Sequence, residues 1–165
     1  MLDQYITGSW RGKYVFGNGY GANVTGRSVS FDIELTCVDG LLSGYCIDEH
    51  HRKLVEKPAT LEGYVEDDRI FFIKYYPHAI VVDEGGNVLN FPDESSQQIH
   101  YMGHSDKGQF SGTWEASTLE KAMDGTYYEI YGEGTWSMKK KPGSLAGIGW
   151  WKGVRRLIKK ALRSK

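Results

Sequence analysis

The chain has 165 residues, a net charge of −1, 13% aromatic residues, 21 glycines and 4 prolines. That is a one-domain length with material for a real core, and the composition suits short strands and tight turns rather than a helical bundle. The near-neutral total hides a split, because residues 139–165 carry ten Lys/Arg and no Asp/Glu, while residues 1–138 carry the other ten cations and all 21 acids, net −11.

In chain order, "ITGSWRGKYVF" is expected to be the first strand and "GNGYGANVTGR" (17–27) a glycine-rich loop. Over "SVSFDIELTCVDGLLSGYCID", Val29, Phe31, Ile33, Leu35 and Cys37 alternate with mostly polar residues, the two-residue period of a half-buried strand. Asp39-Gly40 is a two-residue hairpin signal. Pairing outward from it sets Cys37 against Leu42, Leu35 against Gly44, Ile33 against Cys46 and Phe31 against Asp48. The two cysteines then share a face too far apart to bridge. Residues 49–58 are expected as a loop.

"ATLEGYVEDDRIFFIKYY" predicts a hairpin about Asp67-Asp68, with Gly63 opposite Phe72 and Leu61 opposite Lys74. "AIVVDEGGNVLNF" adds a small hairpin within the long connection 77–96. "QQIHYMGHSDKGQFSGTWEA" folds about Ser105–Gly108, "TLEKAMD" is expected as a helical turn within a connection over 117–126, and "YYEIYGEGTWSM" closes the set. Eight main strands result. They imply an all-β fold, an eight-stranded antiparallel up-and-down β-barrel over 1–138, then a linker over 139–144 and a tail over 145–165. Closure leaves no sheet edge exposed.

Gly8-Ser-Trp10, Gly112-Thr-Trp114 and Gly134-Thr-Trp136 repeat a small–x–large pattern that fits the taper of a small barrel. With "ITGSWRGKY" at the start, the chain resembles the calycin superfamily of lipocalins, fatty-acid-binding proteins and avidins over roughly residues 6–138. The resemblance implies a calycin-like barrel with a small-ligand cavity. It names no ligand: Arg-Gly-Lys follows Trp10 where avidins carry their biotin-holding Asn and Ser, and a glycine-rich loop stands where fatty-acid-binding barrels have a helical lid.

Up-and-down strands put the turns at 39–40, 67–68 and 105–108 at one end and the long loops at the other, where a ligand would enter. Trp10 and Trp136 fall toward the tight-turn end as a plug. By face and register, Tyr14, Asp48, Lys74, Tyr76, Tyr101, Trp114 and Tyr128 point inward near the mouth, with Gln97 on the same wall. Lys74 and Asp48 stand out, because an inward charge is costly unless paired or wet. Two accounts stay open for Lys74: it holds an acidic or polar ligand group with the tyrosine hydroxyls, or it pairs internally with Asp48 or reaches water at a strand end.

No metal site is expected, because four-residue spacing on a strand separates His100 from His104 by roughly 13 Å and His50, His51 and His78 sit in loops. No cofactor motif and no nucleophile or P-loop signature occurs. His78 could join Asp83, Glu84, Asp93 and Glu94 in acid–base work. A barrel-mouth enzyme would need titratable residues such as His50, His51, His78, Asp48 and Lys74 clustered at the mouth, and an enzyme is the less favoured class.

In the tail, Trp150, Trp151, Val154, Leu157, Ile158, Ala161 and Leu162 share one face of a helix, and Lys152, Arg155, Arg156, Lys159, Lys160 and Arg163 fill the other. A C-terminal amphipathic basic helix is expected, attaching to an anionic membrane surface or docking on its own or another protomer's barrel. Nucleic acid fits less well, since phosphate contact needs no apolar stripe. No apolar run is long enough to span a bilayer and the first residues lack a secretory pattern. With two cysteines and no disulfide framework, a cytoplasmic address with peripheral membrane contact is expected.

Three functions follow. The first is a non-enzymatic barrel binding a small, partly apolar ligand, acidic or lipid-like, with a membrane-attaching tail. The second is a self-filled structural barrel whose tail makes oligomer contacts. The third is a barrel-mouth isomerase or hydrolase.

Overall fold

A computed structural model describes residues 2–54, 57–121 and 123–142. The tail expected over 145–165 lies outside the described residues. Eight strands form the barrel: β1 (Gly8–Phe16), β2 (Ser28–Val38), β3 (Leu41–Asp48), β4 (Ala59–Glu66), β5 (Arg69–Tyr75), β8 (Gln98–Asp106), β9 (Gln109–Lys121) and β10 (Tyr127–Lys140). The short strands β6 (Ala79–Val82) and β7 (Val88–Phe91) form a separate hairpin between β5 and β8. The barrel closes in the order β1-β10-β9-β8-β5-β4-β3-β2 with every pair antiparallel, the architecture expected from the alternating pattern.

The registers read from the turns hold. Cys37 faces Leu42, Leu35 faces Gly44, Ile33 faces Cys46, and Phe31 faces Asp48. Gly63 faces Phe72 and Leu61 faces Lys74. Asp39 and Gly40 both take positive φ, 52° and 77°, as a two-residue turn of this hand requires. Both cysteines are free and buried.

Three local expectations are corrected. "TLEKAMD" is not a helical turn: β9 runs on through Lys121, where Thr118 to Lys121 pair with Ile130 to Tyr127. Cross-strand pairing overrides the weak helical preference of Leu-Glu-Lys-Ala. The connection 49–58, expected as loop, begins with the helix α2 (Glu49–Leu54). Before β1 lies a helix the sequence did not announce, α1 (Leu2–Ile6), whose five residues are too few to show a period.

The helix α1 closes the tight-turn end. Asp3 accepts hydrogen bonds from the backbone N–H groups of Asp39 (2.8 Å) and Gly40 (3.3 Å) and from the Cys37 thiol (3.1 Å). Ile6 is fully buried, and its carbonyl accepts the Trp10 indole N–H at 2.8 Å. Trp10 packs on Phe110 with ring centroids 5.4 Å apart, and Trp136 packs against Phe72 and Tyr101 at 5.4 and 5.9 Å.

The repeated Gly-x-Trp motifs of β9 and β10 meet reciprocally: Gly112 faces Trp136 and Gly134 faces Trp114. At Gly134 the missing side chain makes room for the opposing Trp114 indole, at Gly112 it lets the Met102 backbone approach, and the Trp136 ring lies against Gly103, where a Cβ would come 2.6 Å from it. At Gly134 a Cβ would lie 1.9 Å from the Val15 carbonyl and 2.5 Å from Trp114 Nε1. The space lets Trp114 Nε1 donate to the Val15 carbonyl at 3.1 Å, and Trp136 Nε1 donates to Met102 and Thr113 carbonyls, both at 3.0 Å. Both indoles thus keep their polar atoms satisfied inside the barrel.

Candidate functional site at the barrel mouth

The long-loop end keeps a cavity of about 100 Å³. Tyr14 from β1, Lys74 from β5, Tyr101 from β8 and Trp114 from β9 line it, with Tyr76 just past β5. These are five of the seven inward residues expected at the mouth. Asp48, at the end of β3, lies beneath Lys74 rather than on the cavity wall, and Tyr128 sits on β10 opposite Glu120.

The sequence did not bring in the residues that roof the cavity. Ile80 and Val82 come from the β6–β7 hairpin, and Phe16, Tyr20 and His50 come from the rim. Gln97 ties rim to hairpin, its Nε2 donating to the Ile80 carbonyl at 3.2 Å. His50 borders the cavity: its Nδ1 lies 3.4 Å from Tyr14 Oη and its ring stacks on Phe16 at 6.3 Å. A short helix starting at Glu49 turns His50 inward, which a loop assignment could not foresee.

At the floor, Lys74 is 2% exposed and Asp48 fully buried. Lys74 Nζ donates to Asp48 Oδ2 at 3.0 Å and to Tyr76 Oη at 2.8 Å, and Tyr76 Oη in turn donates to Asp48 Oδ2. The ammonium also lies 4.4 Å from the centre of the Tyr76 ring and 5.1 Å from that of Tyr14. Aromatic faces attract a cation electrostatically, which adds to the ion pair in a dry setting. The internal pairing with Asp48 is therefore realised, and it coexists with a cavity-facing lysine.

Charge states follow. Burial works against the Lys74 charge, but Tyr101 and Asp48 outweigh it and hold the ammonium well above its ordinary range. Burial, then the Asp48 charge, pushes the Tyr76 phenol well up, and burial pushes Tyr101 up in the same direction. The floor thus presents a protonated amine and neutral phenols at every physiological pH. Its formal charge sums to zero, since the carboxylate beneath cancels the ammonium.

Among the described residues, no group of three or more His, Cys, Asp or Glu is placed to hold a metal. The acid–base grouping suggested by sequence is not assembled at the cavity. Asp83 is instead engaged by Asn87 across the tip of the β6–β7 hairpin, accepting from its backbone N–H at 2.8 Å and from its side-chain amide at 2.9 Å.

On the outer wall Asp32 accepts from three cations, Arg11 Nε at 2.9 Å, Arg52 at 2.8 Å and Lys141 at 2.9 Å. The Lys141 backbone N–H also donates to the Ser9 carbonyl at 2.9 Å. The first residue beyond β10 is thereby fastened to the barrel.

No family model and no curated protein matches the chain. Among solved structures, the crystal structure of rhizavidin is similar, with 13% identity, 84% of this chain and 89% of that chain covered, and a TM-score of 0.41. The barrel architecture stands on the strand pairing itself. No helix among the described residues is long and apolar enough to cross a membrane.

Proposed function

We propose that the protein is a non-enzymatic, calycin-like binding barrel that takes a small, partly apolar ligand at its mouth. The observation that carries this is a buried donor group on the floor of an aromatic-walled cavity. Lys74 lines the cavity, and its Nζ is held by Asp48 and Tyr76. A preorganised donor under apolar walls is the usual make-up of a small-molecule site.

The geometry also narrows the ligand. A floor of zero formal charge does not attract a free carboxylate strongly, so the favoured partner is neutral and carries a hydrogen-bond acceptor, such as an amide, ketone or quinone oxygen. Walls of Tyr14, Tyr101 and Trp114 favour a planar, unsaturated body. A cavity of about 100 Å³ is well below the usual drug-sized site of ~300–1,000 Å³, so the buried part is small.

Small molecules released on denaturing the purified protein, identified by mass spectrometry, test the proposal. Ala116→Leu, which grows a lining residue into the cavity, is expected to release none. Equal release from both proteins, or none from either after exposure to a panel of small aromatic carbonyl compounds, removes the ligand function. It then favours the self-filled structural barrel, which the dense Trp10, Phe72, Phe110 and Trp136 packing below the cavity already approaches.

The tail adds attachment to an anionic membrane: its Trp150 and Trp151 suit the interface, and its cations suit lipid head groups. Co-sedimentation with vesicles containing phosphatidylserine at low salt, and its loss in a 1–142 truncation, supports this. Equal binding to phosphatidylcholine vesicles, or by the truncation, removes it.

A further inference from the structure

The outer wall carries an apolar row that no packing within the described residues explains. Val38 faces Leu41, Leu41 faces Tyr64, Tyr64 faces Phe71, and Phe71 faces Met102, so five apolar side chains cross five adjacent strands in register. Val38, Leu41 and Tyr64 are 59%, 67% and 48% exposed, and the Tyr64 and Phe71 rings stack 5.4 Å apart at 3°. Outward positions of a barrel in water are ordinarily polar, and a contiguous row of this kind marks a docking surface.

Its surroundings select the occupant. Asp39, Glu62, Glu66, Asp67 and Asp68 border the row, and Arg69 is the one cation in segments 38–41 and 62–73. An anionic bilayer would be repelled here; a cationic amphipathic helix would be attracted on both counts. The chain itself supplies one. β10 neighbours β1, which neighbours β2, so the tail leaves the barrel two strands from Val38, where the row begins. Four strand spacings make the row about 19 Å long. Residues 150–163 as a helix are about 20 Å long. The eight Cα-to-Cα steps from Pro142 to Trp150 span up to roughly 27 Å, enough to reach the row.

We infer that residues 150–163 dock as a helix along the Val38–Leu41–Tyr64–Phe71–Met102 row of their own barrel. Leu157 and Ile158 lie on the apolar stripe against it, and Lys159 and Lys160 lie beside Glu62 and Glu66. Docking and membrane attachment use the same helix face and exclude one another. The inference is independent of the cavity ligand.

Zero-length carbodiimide cross-linking of the full chain, followed by mass spectrometry of the monomer band, tests it. Links between the tail lysines and Glu62 or Glu66 are expected. They disappear in Leu41→Lys/Tyr64→Lys, whose changes are at exposed positions. Leu157→Ser/Ile158→Ser cannot disturb the barrel and should lose them as well. Trypsin should cut the tail of the unaltered chain roughly tenfold more slowly than that of either variant, the protection a docked fraction of about 90% provides. Cross-links confined to a dimer band assign the row to a second copy and overturn the inference. Cross-links and cleavage unchanged by both variants overturn it as well.

Discussion

Lys74 Nζ sits 3.0 Å from Asp48 Oδ2, two strands away and both out of water, at the floor of the mouth cavity. Taking either partner away leaves the other charge buried. Lys74→Met is therefore expected to destabilise the protein by about 3–5 kcal/mol, and Lys74→Met/Asp48→Leu to recover most of that loss. Urea unfolding of the three proteins checks it. A double variant as unstable as the single one would mean that the pair supplies stability that apolar packing cannot replace.

Asp32 gives a pH dependence of known sign. Burial works to raise its carboxyl, but bonds from Arg11 and Lys141 outweigh this and hold it below the ordinary 3.8. A carboxyl depressed by folding contributes stability above its unfolded value and loses it as pH falls through the folded one. The urea midpoint of Asp32→Asn should lie below that of the unaltered protein at pH 6, and the gap should close below about pH 4. A gap independent of pH would mean that the charge of Asp32 does no such work.

The two thiols should differ in reactivity for different reasons. Burial raises Cys46 to about 12, and burial with the Asp3 bond raises Cys37 to about 11. Iodoacetamide at pH 8 should label neither in the folded state. Asp3→Ala loosens α1 from the 39–40 turn and is expected to speed Cys37 labelling at least about tenfold while leaving Cys46 to global unfolding. Equal acceleration at both sites would show that α1 holds the whole barrel rather than its end.

Gly134→Ala and Gly132→Ala separate wall from rim. At Gly134 the added Cβ meets the Val15 carbonyl, which is backbone and cannot yield, so a loss of about 3 kcal/mol is expected. At Gly132 it meets Tyr20 Oη at 2.0 Å, the far end of a side chain that can swing away. That change should cost less than about 1.5 kcal/mol yet alter Trp114 fluorescence, because Tyr20 and Trp114 have ring centroids 6.0 Å apart. Calorimetry and emission spectra distinguish the two.

The registers of β2 with β3 and of β4 with β5 were legible because each rests on a local turn signal and an unbroken two-residue period. Lys74 and Tyr76 followed from the β4–β5 register, and Tyr14, Tyr101 and Trp114 from the same two-residue period on β1, β8 and β9. What stayed hidden depends on contacts far apart in sequence. Nothing near His50 says that a helical turn will aim it at Tyr14, and nothing near Ile80 says that its hairpin will fold over the mouth. The extension of β9 through Lys121 was misjudged because four helix-tolerant residues were weighed without the β10 partner that captures them. The outer row was overlooked for a related reason. Val38, Leu41, Tyr64, Phe71 and Met102 come from five strands, and no sequence window holds them together.

The fastening of Lys141 has a quantitative meaning. With its backbone on Ser9 and its ammonium on Asp32, Lys141 is a fixed point beside the wall, one residue before the last described position. A short tether that lets the docked helix inferred above reach this wall would hold it at an effective concentration of order millimolar. An intrinsic affinity of only about 100 μM would then keep the helix on the wall roughly nine-tenths of the time. Any competitor in trans meets the same threshold, so a membrane must bind the tail more tightly than its plain affinity for a free peptide would suggest. That threshold scales with both the effective concentration and the helix's own affinity for the wall, and the hold of Asp32 and Ser9 on Lys141 fixes where the tether starts.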